Sequence, residues 1–262
     1  QVYENLRAVD YLLARPEVDP GRIGITGASG GGNQAMYAGA WDERLAVVVP
    51  VCSVGTYRGY LGGACCICEV VPGALRFSEE YEVLGLIAPR TLRAISGASD
   101  EIVQFSPAEA RQSLAMASPI YALYGKVDGI SHAIFDSTHG YPQAMREAMY
   151  GWMRKYLNGS GNGSPIAEPT IKLEDPETLR CFSDQSRPAD FMTIPRLAAS
   201  HARRLLESQS PPESLATWQK HRPTAVRHLT NSLFGGEPPP YLDAQAAFSQ
   251  TPLGRTITFQ PE

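Results

Sequence analysis

A chain of 262 residues, 43% hydrophobic and 19% charged, has the composition of a folded globular protein with room for one large domain or a domain with an appendage. Lys and Arg number 23 against 27 Asp and Glu, a net charge of -4 with no basic block, so nothing attracts a nucleic acid. No run of about 18 apolar residues is present to span a membrane, and the opening QVYENLRAVDYLLARPEV lacks the basic start and greasy segment of a secretory leader.

Residues 5–15 predict a helix, because Leu6, Val9, Leu12 and Leu13 share one face, and Pro16 with the turn at 19–21 ends it. A short apolar strand, RIGIT (22–26), runs into the glycine cluster at 27–32, and a small-residue helix follows over 31–40. LAVVVPV (45–51) has the unbroken apolar character of a parallel strand covered on both faces. Residues 52–88 read as rim loops and short helices. TLRAIS (91–96) is a third strand, 107–116 a helix with Pro at its first turn, 119–124 a further short helix, and ISHAIF (130–135) a fourth strand. Residues 142–157 form an amphipathic helix. This alternation predicts an α/β fold with a parallel sheet over residues 1–157. NGSGNGSP (158–165) reads as a linker, and 166–262 as a Pro-rich C-terminal extension or the start of a further domain, with helices near 194–208 and 212–221 and a strand near 256–260.

The segment GASGG (27–31) fits G-x-S-x-G between a strand and a helix. That arrangement lifts a serine hydroxyl out of a tight turn whose crowding requires glycines, and it brings the first N–H groups of the helix to the same spot. Ser29 is the candidate nucleophile and the N–H of Gly30 a candidate oxyanion donor. Neither phosphate-binding glycine pattern is present at this cluster. A serine nucleophile needs a base and the base an orienting carboxylate, in the chain order Ser, acid, His, each in a loop after a strand. His139 lies in such a loop, and Asp100 stands just beyond TLRAIS. Glu101 and Asp136 are fallback acids, Asp128 is less well placed, and His132 lies inside the strand. Cysteines occur at 52, 65, 66, 68 and 181, an odd number without metal-knuckle spacing, so no metal or organic cofactor is expected and structural or incidental roles are.

With these residues placed, VDPGRIGITGASGGGNQ (18–34), DERLAVVVPVCS (42–53), IAPRTLRAISGASD (87–100) and HGYPQAMREAMYGWM (139–153) resemble bacterial α/β-hydrolase esterases related to acetyl xylan esterases and dienelactone hydrolases. The resemblance implies hydrolysis of carboxylic esters, acetyl-like groups on carbohydrate, through an acyl-enzyme on Ser29, Asp100 and His139, in a secreted or periplasmic setting. A serine peptidase on the same fold and an inert binding module are the alternative readings. In that family several strands precede the serine, whereas here one helix does. The chain therefore reads as the C-terminal half of the hydrolase sheet, and the start at Gln1 rather than Met points to an incomplete or processed chain whose missing half lies in a companion segment or chain. Cys65, Cys66 and Glu69, in GYLGGACCICEVVPG (59–73), are candidate pocket residues.

Overall fold

The computed structural model describes residues 2–63, 71, 73–182, 186–236, 247–251 and 254–258. They fall into two units, Gln1–Leu173 and Glu174–Glu262.

In the first unit the chain alternates helix and strand: α1 (Val2–Leu13), β1 (Ile23–Ala28), α2 (Gly30–Trp41), β2 (Leu45–Val51), α3 (Tyr57–Gly63), α4 (Glu80–Gly85), β3 (Thr91–Gly97), α5 (Pro107–Leu123), β4 (Ile130–Phe135) and α6 (Gln143–Asn158). The strands form one parallel sheet in the order β1-β2-β3-β4. This is an α/β fold with a parallel sheet flanked by helices. β2 shows why an unbroken apolar run becomes an inner strand. Its side chains alternate, Val48 joining Met36, Leu84, Leu92 and Tyr121 in one core, while Val47, Val49 and Val51 join Met145, Met149 and Trp152 of α6 in the other. Each buried valine contributes about 1.5–3 kcal/mol relative to exposure. β1 is half-buried over most of its length, as suits the last strand on its side of the described sheet.

The stretch after β2 contains the short helices α3 and α4, and the structure departs from the sequence reading at the next long helix. α5 runs unbroken through Pro119, whose missing N–H costs one helical bond in a helix held by the buried Leu114, Ala117 and Tyr121. Residues 158–165 lie inside the first unit: Arg93 reaches Gly163 O at 3.3 Å, and Ile166 N–H donates to Glu147 O at 3.0 Å, so this stretch follows α6 back across the fold.

The second unit contains α7 (Ile194–Glu207), α8 (Leu215–Phe234) and an antiparallel hairpin of β5 (Ala247–Thr251) and β6 (Gly254–Thr258). Thr193 and Ser214 start the helices by accepting the backbone N–H groups of Arg196 and Thr217. α8 continues past 221 through Pro223.

Candidate active site

Four parallel strands present their carboxyl ends along one edge, and the pairing places them in register: Ala28 faces Val51, Val51 faces Ile95, and Ile95 faces Ala133. Just beyond that row the chain is laced together by backbone bonds, Ser29 N–H to Val51 O at 2.9 Å, Cys52 N–H to Ile95 O at 2.8 Å and Ala98 N–H to Phe135 O at 2.7 Å. Loops after such strand ends are where α/β sheets hold their ligands.

Ser29 is the turn between β1 and α2. Its φ of 55° and ψ of -126° lie outside the regions an L-residue prefers, a conformation costing about 1–3 kcal/mol that the surrounding packing imposes. The hydroxyl makes no capping bond to α2, which leaves it uncommitted. The glycines divide in their reasons. A Cβ on Gly27 would lie 2.4 Å from Gly31 O, and one on Gly32 would lie 2.2 Å from Ser53 Oγ, whereas one on Gly31 meets nothing within 4 Å. The crowding read from the motif therefore falls on positions 27 and 32. Gly30 opens α2, where the first N–H groups have no intrahelical partner.

Asp100 and His139 are brought together. Asp100 Oδ1 and Oδ2 lie 3.1 and 3.0 Å from His139 Nδ1, with the aspartate side chain fully buried and the imidazole 18% exposed. A carboxylate only accepts, so Nδ1 carries a proton toward it, the arrangement that leaves Nε2 as the acceptor of the neutral ring. Oδ1 also accepts Ile102 N–H at 3.0 Å. The loops after β3 and β4 touch closely: a Cβ on Gly97 would lie 2.5 Å from Ser137 O.

The fallback residues have other places. Glu101 accepts the backbone N–H of His139 at 3.1 Å, a bond that lowers the glutamate's pKa and anchors the histidine loop. Asp136 and Asp128 are exposed. His132 sits within β4 and bonds Ser96 Oγ at 2.9 Å, and burial pushes its pKa down to about 4. Cys65, Cys66 and Glu69 lie outside the described residues. A cavity of about 310 Å³ is lined by Tyr57, Tyr60, Leu61, Val71, Ala74 and Arg76 among others.

Two contacts of the histidine escaped the sequence. Phe105, wholly buried, stacks on the imidazole with centroids 5.7 Å apart, and Tyr60 meets Phe105 edge-on at 5.6 Å. Cys52 joins the same group, its Sγ within 4.8 Å of ligand atoms of Asp100 and His139. Three such side chains are one donor set for a cation. Here, however, Nδ1 is engaged by Asp100, and burial raises the pKa of the thiol, whereas a metal takes the thiolate.

A family model described as "Glucuronyl esterase, fungi" matches residues 4–66. The protein YtaP of Bacillus subtilis (strain 168) is 29% identical over 60% of this chain and 53% of its own length. The 4-O-methyl-glucuronoyl methylesterase 1 of Sodiomyces alcalophilus is 29% identical over 60% of this chain and 38% of its own. A carbohydrate esterase family 15 glucuronoyl esterase from Caldicellulosiruptor kristjansonii shares the fold, with a TM-score of 0.54 at 24% identity, covering 67% of this chain and 54% of that one. The likeness drawn from sequence to acetyl xylan esterases and dienelactone hydrolases is thereby corrected, since the matching family model is of a glucuronyl esterase and the Sodiomyces relative is a glucuronoyl methylesterase. The segments that suggested it are the elbow and strand ends, which the fold requires of any such hydrolase. The chain spans about half or less of the curated relatives it matches. Their matched stretches lie within single longer chains, so a separate companion chain finds no support.

Proposed function

We propose that this chain carries the catalytic residues of a serine hydrolase that cleaves a carboxylic ester of a uronic acid in carbohydrate. The observation that carries the proposal is the buried Asp100 carboxylate on His139 Nδ1, at the same sheet edge as a serine held in a strained turn. The match of residues 4–66, which include that serine, to a glucuronyl esterase model supports the substrate class. In such an ester the sugar acid is the acyl part and a small or aromatic alcohol leaves, the reverse of an acetylated sugar.

In this reading His139 Nε2 takes the proton of Ser29 Oγ as the oxygen attacks the ester carbonyl. Asp100 keeps the imidazole in the required tautomer and steadies it when charged. The N–H of Gly30 donates to the oxyanion, the alcohol departs with the proton from His139, and water repeats the sequence to release the acid. The four strands are the later part of a hydrolase sheet, with β1 the nucleophile strand, and the second unit is an extension outside the chemistry. A polysaccharide substrate is too large to enter a cell, which places the enzyme in a secreted or periplasmic setting.

A fluorophosphonate probe and the methyl ester of glucuronic acid test this with the full chain. Wild type should label and release methanol, and Ser29→Ala should do neither, with turnover reduced by about 10³-fold or more. Equal labelling of both proteins, or no labelling of wild type, overturns the proposal. Labelling with turnover of acetylated sugars in place of the uronate ester overturns the substrate class alone.

A further inference from the structure

Cys52 has no step in the reaction above, yet its position is unusual. It is wholly buried at the end of β2, and it and Ser29 are the two described non-glycine residues with positive φ, 46° and 55°. L-residues avoid that region unless their neighbours hold them there. At Cys52 they do. Its N–H donates to Ile95 O at the end of β3, and Val51, immediately before it, accepts the N–H of Ser29. The unusual backbone therefore sits between the serine's strand and the strand leading to Asp100.

The side chain completes the connection. Sγ lies 3.4 Å from Gly140 O, the residue after His139, and within 4.8 Å of both a carboxylate oxygen of Asp100 and a ring nitrogen of His139. We propose that Cys52 is a positioning residue for the Asp100–His139 pair, its thiol wedged beneath the two and fixing the angle at which the carboxylate meets Nδ1–H. This rests on the reading of Ser29, Asp100 and His139 as the reacting group.

A thiol suits the place on three grounds. Its apolar bulk fills a buried site that alanine would leave void. It is a weak donor, so a bond to the carboxylate or to Gly140 O does not displace the imidazole N–H from Asp100. Burial keeps it protonated, so it adds no second negative charge beside the aspartate. Its lack of exposure also removes it as a nucleophile.

The test uses the full chain with Cys52→Ala, Cys52→Ser and Cys52→Gly, each checked for folding by thermal melting. The Ala variant should lose about tenfold in kcat on the methyl glucuronate ester with KM unchanged, as expected when a reacting pair is misaligned without loss of substrate contacts. Its Nδ1 proton, read by NMR and identified with His139→Gln, should move upfield or vanish by exchange. Cys52→Ser, which keeps a side chain in place but is smaller and a stronger donor to the carboxylate, should recover only part of each. Cys52→Gly, which relieves the left-handed backbone, should fold and show the same loss, keeping the question open to measurement if Ala does not fold. A folded Ala or Gly variant with wild-type kcat and an unmoved Nδ1 proton overturns the inference. A wild type without ester turnover overturns the proposed function instead, and the proton signal then decides the role of Cys52 alone.

Discussion

Asp100 acts on His139 through direction as much as charge, because both of its oxygens lie at 3.0–3.1 Å from Nδ1. Asp100→Asn preserves the shape but offers an amide that stabilises the other tautomer. Turnover should fall by about 10⁴-fold with little change in melting temperature, measured by ester hydrolysis and calorimetry. His132 makes the opposite kind of prediction. Its folded pKa is depressed from 6.5 to about 4, by burial first and then by Arg111, so between those values the unfolded chain binds a proton that the folded chain does not. Stability is therefore complete above pH 6.5 and declines as pH falls toward 4. His132→Gln should flatten that decline in a series of urea melts, and an unchanged slope would show that another group causes it. Chain order and strand ends were enough to propose Ser29, Asp100 and His139 from sequence, since each is a local signal. Cys52 and Phe105 were not legible, because what matters about them is an angle or a contact between loops far apart in the chain, and neither residue type announces that.

At the scale of elements, α2 lies close against β2 because Gly39 has no side chain: a Cβ there would come within 2.5 Å of Val48 Cγ2. Gly39→Ala should cost about 1–3 kcal/mol by overpacking, and Val48→Ala in the same chain should recover part of it, a coupling that a double-mutant cycle reads directly. Simple addition of the two losses would refute the contact. The strands were the most legible elements, with LAVVVPV and ISHAIF matching β2 and β4 end to end. Proline and glycine punctuate a chain less strictly than strand and helix periods do. α5 passes Pro119 and α8 passes Pro223 because one lost hydrogen bond is outweighed by the rest of a long helix, and the glycine-rich 158–165 is tied to β3 by Arg93 and leads into Ile166, whose N–H bonds Glu147 O of α6.

For the whole molecule, the residues of the proposed reaction all belong to Gln1–Leu173, whereas the second unit has its own helices and hairpin. A protein ending at residue 173 should keep the cooperative melt of the first unit and label with fluorophosphonate at the rate of the full chain. Loss of labelling with the melt intact would give the second unit a part in the chemistry. The sequence changes from alternating helix and strand to proline-rich composition after residue 165, but composition cannot distinguish a free tether from a strap.

The row Ala28, Val51, Ile95 and Ala133 has a consequence for how such a protein changes over generations. A rigid sill fixes the height from which each loop departs, so lengthening a connection at the opposite end of the sheet leaves the spacing of serine, carboxylate and imidazole untouched. Slipping one strand by a single residue would carry the residue that follows it out of line with the other two. Changes of length should therefore spare the site at one end of this sheet and disrupt it at the other.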